Sequence, residues 1–526
     1  MDELVLFSIL LFGFFLRLPF SLLSPLSSTN DGSGTFSKLN TLSKQLLPKL
    51  RIDDAVNHEG YFPRPNLFHW LVSRFPKKRW RLVIVFGNVL PDIILAALLY
   101  ALLRWFFPEI QANLRHLIVL LFVSAPIFFP YTARLKATNG RTVGFLLASL
   151  YLLCLPILDS GVFEIHPGFI FIFLCLVAFL TFWTSTFASQ AMVFVSLVYA
   201  VISLNPIFAL PIILVLGLSF LFRRLGIWDI LLFKIYHTKF YSKLLLTSFS
   251  TRERSLLNFW KLLDPRLTRT SRLELILKHS PLIIALYSVP ILFPLSYLIV
   301  LDPTSIYFGE GVLGPINLLS LSILIVFLLT SSSLGKLFGE AERYLEYSVI
   351  PLLLLLASLI ANSSGISLLL SLVLGQLCII VLVTILNWPG ALEKLFSFQK
   401  GIPEDADKVV DYIKQHDSSA RILCVPFRAS RLLSSAGKLK QIAGLKYYYQ
   451  LVASEGSTSN FLQVSMDEML GQNCPSKSVE YYRDTYKVNL FVVERKFLLD
   501  GDFKTSLAEK CTQVVQIGPY ELYKFV

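Results

Sequence analysis

The chain has 526 residues, of which 54% are hydrophobic and only 16% charged, and its mean hydropathy is +0.63. Soluble globular domains carry about 25% charged residues, so this composition excludes an ordinary soluble protein and predicts a polytopic membrane protein. We assign the formal net charge of +13 to contacts with membrane lipids and phosphate groups. Nucleic acid is the poorer explanation, because the sequence contains no recognisable nucleic-acid-binding module.

Apolar runs predict about eleven membrane helices, since a helix needs about 20 largely apolar residues to cross roughly 30 Å of hydrocarbon. The first run follows Asp2 and Glu3 rather than a basic segment, and no small-residue cleavage site follows it. We therefore expect a membrane helix there and not a removable signal peptide. Pro206 and Pro211 are expected to break or kink the apolar region around them. The predicted spans are 3–23, 81–107, 115–131, 143–158, 168–184, 187–204, 206–222, 280–301, 315–331, 349–362 and 366–388.

Polar segments interrupt these spans at four places, and the composition changes after Trp388. The four segments are a long first loop (24–80), a short loop around Arg134–Thr142, a basic amphipathic segment (223–279) and the loop carrying Gly339–Tyr347. The sequence therefore predicts an all-α polytopic membrane domain over 1–390, followed by a small soluble α/β domain over 391–526.

The C-terminal part alternates helix and strand patterns. "EDADKVVDYIKQH" has the apolar spacing of a helix, while "ARILCVPF", "VNLFVVER" and "YELYKFV" are short buried-strand patterns. This alternation predicts a small α/β or α+β domain. One disulfide among Cys424, Cys474 and Cys511 is possible, and the absence of CxxC spacing argues against a zinc site.

An odd number of spans places the long loops and the C-terminal domain on one side of the membrane. Hydrophilic material on one face is expected of an enzyme that acts at a membrane surface. A lipid or polysaccharide transporter would need polar residues near the bilayer midplane, and the spans offer few: Asn88, Asp92, Gln190 and Gln376. A third alternative is a non-catalytic membrane scaffold whose C-terminal domain binds a partner.

Several side chains of the first loop could carry chemistry. Asp31 lies just after the first span, where it could act on a substrate or form an ordinary Asp-Gly turn. His58 and Glu59 are adjacent, and an imidazole beside a carboxylate can serve as a general base, bind a divalent cation, or simply be loop surface. Arg64 lies between two prolines, and such a stiff backbone suits a guanidinium that binds phosphate.

More cations follow on the same side. The short loop contributes Arg134, Lys136 and Arg141, and segment 223–279 interleaves Lys and Arg with Trp, Tyr and Leu. This pattern predicts an interfacial helix on anionic headgroups, and the same cations could hold a lipid-linked phosphate.

The stretch "GEAERYLEY" places three glutamates and an arginine between two apolar runs. Helical spacing puts Glu342 and Glu346 on one face and brings Glu340 near Arg343. The carboxylates could neutralise Arg343 as a structural ion pair, or hold it so that it points at a phosphate. The spacing leaves both interpretations open.

These segments together, over residues 1–388, resemble the GT-C superfamily of membrane glycosyltransferases. "GYFPRPNLFHWL" looks like the Lys-Pro-Pro-Leu-aromatic pattern before the second helix, with Arg64 in place of the lysine and Asn66 in place of the second proline. "TNGRTVGFLLASLYLL", "TSTFASQAMVF" and "GEAERYLEY" resemble later motifs of the uncharacterised bacterial members and occur in the same order. Asp31 occupies the place of the aspartate that these enzymes carry after their first helix.

The resemblance implies a sugar donor on a polyprenyl phosphate and an acceptor that is a glycan, a lipid or a protein. Asp31 would deprotonate the acceptor hydroxyl or orient it. His58 and Glu59 are further catalytic candidates, and a divalent cation could join Asp31, His58 or Glu59. Arg64 and Arg343 would bind the donor phosphate. Arg141, Glu340, Glu342 and Tyr344 are further predicted substrate-binding residues.

The resemblance also implies a bacterial-type cytoplasmic membrane with the active face outside the cytoplasm. The positive-inside rule would instead turn the basic loops towards the cytoplasm. We follow the resemblance, because cations that face a phosphate can override this bias.

Overall fold

The computed structural model describes most of the predicted helices and the C-terminal sheet. The longer described stretches are 2–22, 67–129, 140–161, 166–222, 258–265, 267–275, 280–290, 313–332, 341–361, 366–396, 404–426, 477–497 and 501–525. Shorter described pieces are 39, 42–44, 46, 50–51, 61–62, 135, 227–228, 230–231, 292, 335–338, 429, 433, 440–441 and 475.

The chain folds into two compact units. The first unit, called the membrane unit below, comprises Met1–Ser24, Leu82–Trp228 and Tyr241–Leu395. The second unit comprises Pro25–Arg81, Asp229–Phe240 and Phe396–Val526. The boundary predicted between 390 and 391 stays a prediction.

Long apolar helices form most of the membrane unit. In chain order the helices up to its end are α1 (Asp2–Leu22), α2 (Leu67–Ser73, in the second unit), α3 (Trp80–Phe106), α4 (Ala112–Val123), α5 (Arg141–Ser160), α6 (Pro167–Thr184), α7 (Thr186–Ile202), α8 (Leu210–Leu221), α9 (Asn258–Lys261), α10 (Arg269–Glu274), α11 (Pro281–Ser288), α12 (Leu313–Ser331), α13 (Val349–Ala361) and α14 (Ile366–Phe396). Short 3₁₀ helices lie at Lys77–Arg79, Pro126–Phe128, Pro206–Ala209, Gly335–Phe338 and Ala341–Ser348.

Six helices within the described stretches are long and apolar enough to cross a membrane. They are Asp2–Leu22, Lys77–Phe106, Arg141–Ser160, Pro167–Thr184, Leu313–Ser331 and Leu370–Ala391. The chain is therefore an integral membrane protein, as its composition predicts. The count of eleven spans stays a prediction: of the span predicted over 280–301, for example, α11 covers only Pro281–Ser288, and residues 293–300 lie outside the described part.

The first turn of α5 packs tightly against the junction between α6 and α7. Ser185 lies at this junction in extended backbone, and its Oγ accepts a hydrogen bond from the Ala188 backbone N–H, which caps α7. Gly144 faces the junction so closely that an added Cβ would overlap the Ser185 Cβ. The absence of a side chain at Gly144 therefore sets where α5 begins relative to α7.

A five-stranded mixed sheet forms the C-terminal part of the second unit. Its elements are α15 (Glu404–His416), β3 (Arg421–Val425), β4 (Lys440–Gln441), α16 (Val479–Tyr486), β5 (Leu490–Glu494), α17 (Gly501–Lys510), β6 (Cys511–Ile517) and β7 (Tyr520–Phe525). The strand order is β4-β3-β5-β7-β6, with β4, β3 and β5 parallel and the β5–β7 and β7–β6 pairs antiparallel. A two-stranded antiparallel ladder, β1 (Leu50–Arg51) with β2 (Tyr61–Phe62), lies earlier in the same unit.

The predicted helix and all three predicted strands of this region are confirmed. The core joins Val409 and Val410 of α15 to Ile422, Val492 and Leu522 of the sheet. Strand β6 escaped prediction because most of its side chains are exposed or half-buried, so it lacks a clear apolar alternation.

A disulfide between Cys424 and Cys511 is excluded by the sheet topology. Cys424 lies on β3 and Cys511 on β6, so β5 and β7 separate them. Three strand spacings of about 4.8 Å exceed the Cα separation of about 7 Å that a disulfide can bridge. The third candidate, Cys474, lies outside the described residues.

We predict that Gly144→Ala destabilises the membrane unit, because the new methyl group would overlap Ser185. Overpacking of this kind costs typically about 1–3 kcal/mol. The matched control is Gly217→Ala in α8, where an added Cβ meets nothing within 4 Å and alanine is the better helix former. Thermal unfolding in detergent should show a lower midpoint for Gly144→Ala alone. Equal midpoints for the two variants would contradict this packing.

Candidate functional site

The structure describes four of the nine residues predicted to form the site, and all four belong to the membrane unit. They are Arg141 at the start of α5, and Glu342, Arg343 and Tyr344 in the 3₁₀ helix Ala341–Ser348, called the late 3₁₀ segment below. The others, Asp31, His58, Glu59, Arg64 and Glu340, lie outside the described residues, as do Arg134 and Lys136.

Arg141 is buried and paired with a carboxylate of the late 3₁₀ segment. Gly140 precedes it in the left-handed region with φ of 68°, a conformation that glycine adopts without strain and that directs the chain into α5. The Arg141 Nη2 donates to Glu346 Oε1 at 2.8 Å, and the two side chains are only 10% and 2% exposed. The pair therefore works at low dielectric, where each charge requires the other.

The late segment is a 3₁₀ helix, which corrects the helical spacing predicted for "GEAERYLEY". With three residues per turn, residues i and i+3 share an edge, so Arg343 aligns with Glu346, and Glu342 and Glu346 do not share a face. Both glutamates are nevertheless buried, at 7% and 3% exposure. Glu346 binds Arg141, a contact that the spacing within the motif could not reveal.

Phe187 of α7 brings the two arginines together. The Arg141 Cζ lies 5.6 Å from the centroid of its ring, and the Arg343 Cζ lies 5.8 Å from the same centroid. Both distances are within the roughly 6 Å over which a cation is attracted to an aromatic face. The Tyr344 ring packs on Phe187 at 5.1 Å between centroids. We call Arg141, Phe187, Arg343, Tyr344 and Glu346 the arginine cluster.

Gln190 fixes Tyr344 from the next turn of α7. Its Nε2 donates to the Tyr344 hydroxyl at 2.8 Å and to the Phe338 carbonyl at 2.8 Å, and the Tyr344 hydroxyl also contacts that carbonyl at 3.3 Å. Burial raises the pKa of Tyr344, so its phenol stays protonated. This polar residue of the seventh helix thus anchors the late 3₁₀ segment, a role that its position in an apolar run did not indicate.

A second buried ion pair lies deeper in the membrane unit and was missed in the sequence. Arg17 of α1 donates from Nε to Asp92 Oδ2 of α3 at 2.9 Å, and both side chains are 0% exposed. Its Nη1 donates to the Val123 carbonyl at the end of α4 at 2.8 Å, and its Cζ lies 5.0 Å from the Phe129 ring centroid. Opposite charges within two apolar spans were the available signal, because charged residues there usually pair or have a function.

The described residues contain no group of three or more His, Cys, Asp and Glu that could hold a metal ion. The candidate ligands Asp31, His58 and Glu59 are outside that set. A divalent cation at the first loop therefore stays a hypothesis.

The chain has the GT-C fold. This confirms the fold class predicted from the order of the sequence motifs. The solved structure of ArnT from Cupriavidus metallidurans bound to undecaprenyl phosphate matches with a TM-score of 0.51 and 12% identity, covering 100% of this chain and 98% of that one. ArnT in the apo state matches with a TM-score of 0.48, at the same identity and coverage. ArnT is an aminoarabinose transferase. No protein-family model and no curated protein matches the chain.

We predict that Asp92→Ala destabilises the protein strongly, because it leaves the Arg17 guanidinium buried without its carboxylate. Breaking one side of a buried pair costs roughly 3–5 kcal/mol. The control is Asp484→Ala, which removes the carboxylate of the exposed Arg483–Asp484 pair (42% and 64% exposed) and should leave the melting temperature nearly unchanged. The double replacement Arg17→Met with Asp92→Leu should recover part of the loss. A melting temperature unchanged by Asp92→Ala would contradict the pairing.

Proposed function

We propose that the protein is a membrane glycosyltransferase that moves a sugar from a polyprenyl-phosphate donor to an acceptor outside the cytoplasm. The observation that carries the proposal is the arginine cluster, in which Arg141 and Arg343 meet on the Phe187 ring. The likeness of the whole chain to an enzyme solved with undecaprenyl phosphate supports the donor class. The acceptor is a glycan, a lipid or a protein, and the sugar is a hexose or a pentose.

The proposed reaction increases the charge on a phosphate. An acceptor hydroxyl attacks the anomeric carbon of the sugar, and the bond between that carbon and the phosphate oxygen breaks. The hydroxyl proton passes to a base, for which Asp31 is the candidate, with His58 and Glu59 as further candidates. The phosphodiester with one negative charge becomes a polyprenyl phosphate monoester that carries nearly two.

Arginines suit this charge change. A guanidinium has five N–H donors in a planar fork that matches phosphate oxygens, so an arginine oriented by one carboxylate can also bind a phosphate. Preplaced cations bind the departing monoester more strongly than the starting diester, and this difference lowers the barrier. In this proposal Arg141, Arg343 and Arg64 bind the phosphate.

In this proposal the remaining predicted substrate-binding residues orient the arginines. Glu346 holds Arg141 at 2.8 Å, and we assign the same orienting role to Glu340 and Glu342. Tyr344 fixes the late 3₁₀ segment through Gln190. We place this machinery at the outer face of a bacterial-type cytoplasmic membrane, where a polyprenyl phosphate can reach it from the lipid.

We predict that Arg343→Ala lowers transfer of radiolabelled sugar by about 100-fold, a typical loss for one preorganised donor of a charge-stabilising site. The assay uses membranes that express each variant, with polyprenyl-phosphate hexoses and pentoses as donors. Arg343→Lys should restore only part of the rate, because an ammonium lacks the planar fork. Asp31→Asn should abolish transfer if Asp31 is the base.

The matched control is Arg483→Ala in the C-terminal sheet domain, where the arginine is 42% exposed. It removes the same charge and should leave transfer unchanged. Full activity of Arg343→Ala would remove this residue from the site. Absence of transfer by the wild type with every donor would contradict the donor class.

A further inference from the structure

Asn88 of α3 is a fully buried polar residue that joins three parts of the membrane unit. Its Nδ2 donates to Ser21 Oγ of α1 at 3.3 Å and to the Leu135 carbonyl at 3.2 Å. Its Oδ1 accepts from Thr142 Oγ1 of α5 at 3.0 Å. The Asn88 side chain is 0% exposed, so these bonds form away from water, where an unsatisfied amide would be costly.

Two of the partners of Asn88 flank Arg141 in the sequence. Leu135 precedes Arg141 and Thr142 follows it, so one amide group contacts the chain on both sides of that arginine. The Thr142 Oγ1 also lies 3.2 Å from the Gly87 carbonyl oxygen, so its single proton is shared between two acceptors on the same turn of α3. Thr142 directly follows Arg141, the residue whose guanidinium binds Glu346.

The Arg17–Asp92 pair holds Asn88 in register. Asp92 lies one helical turn after Asn88 on α3, and Ser21 lies one turn after Arg17 on α1, so the two contacts between these helices are stacked. Sliding or rotation of α3 against α1 would break both contacts. These contacts therefore fix the position of the Asn88 amide relative to Thr142.

We propose that Asn88 and Thr142 are positioning residues that fix the Arg141 guanidinium for binding of a lipid-linked phosphate. They touch neither phosphate nor sugar, and they act through the backbone of the first turn of α5. The inference rests on the proposed function for the identity of the ligand. We call Asn88, bound to both Leu135 and Thr142, the clamp. Its existence follows from these hydrogen bonds and does not depend on the proposed function.

The test compares Thr142→Val, which removes the hydroxyl and keeps the shape, with Thr142→Ser, which keeps the hydroxyl. Thr181→Val is the matched control: Thr181 is also 0% exposed, and its hydroxyl donates to the Val177 carbonyl of its own helix at 2.7 Å. Each full-length variant is placed in lipid nanodiscs. Undecaprenyl phosphate binding is measured by native mass spectrometry, and amide hydrogen exchange is followed over 135–145 and 341–348.

We expect Thr142→Val to weaken undecaprenyl phosphate binding about fivefold, the size of one lost hydrogen bond. Amide exchange over 135–145 should become faster, with the unfolding temperature close to that of Thr181→Val. Thr142→Ser should behave like the wild type. Asn88→Leu should also make amide exchange over these residues faster. Adding Thr142→Val to Asn88→Leu should produce little further effect, because both substitutions remove the same Asn88–Thr142 hydrogen bond.

Unchanged exchange and unchanged affinity in Thr142→Val would overturn the proposal, as would equal effects of Thr142→Val and Thr181→Val. Faster exchange with unchanged affinity would also overturn it, since the clamp would then be structural only. A wild type that binds no undecaprenyl phosphate would count against the proposed donor. Hydrogen exchange would still test the clamp in that case, so the two failures are distinguishable.

Discussion

The buried ion pair between Arg141 and Glu346 is the interaction on which the candidate site depends. It joins residues 205 positions apart in the sequence and links the start of α5 to the late 3₁₀ segment. Both guanidinium groups lie against the Phe187 ring. The buried Glu346 carboxylate neutralises the charge of Arg141 where water is excluded.

Polar side chains inside the membrane unit serve as ties between helices. Arg17 binds Asp92, and Asn88 binds Ser21 and Thr142. At the end of α4, the Ser124 hydroxyl contacts the Gln376 side chain of α14 at 3.4 Å. Polar groups that satisfy one another stabilise helix packing, whereas a transport path would direct them towards a water-filled cavity. These contacts tie α1 to α3, α3 to α5 and α4 to α14.

Much of the fold could be predicted from the sequence, because apolar length and periodicity are local properties. The spans 3–23 and 143–158, the helix 404–416 and the strand around Leu490–Glu494 all correspond to observed elements. The GT-C fold class could be predicted from the order of several sequence motifs. The pairing of Arg141 with Glu346 could not be predicted, since it depends on which helices pack together. For Arg17 and Asp92 the sequence signalled that each buried charge needs a partner, but not which residue the partner is. The 3₁₀ form of Ala341–Ser348 was missed because its sequence fits α-helical spacing as well.

An experimental structure with undecaprenyl phosphate in a lipid nanodisc tests the central claim most directly. We expect phosphate density within hydrogen-bond distance of Arg141 and Arg343, beside the Phe187 ring, with Glu346 still bound to Arg141. The same map would place Asp31 and Arg64 relative to that phosphate. Density for the phosphate at a site that neither arginine reaches would contradict the proposed phosphate site and leave the arginine cluster a purely structural feature.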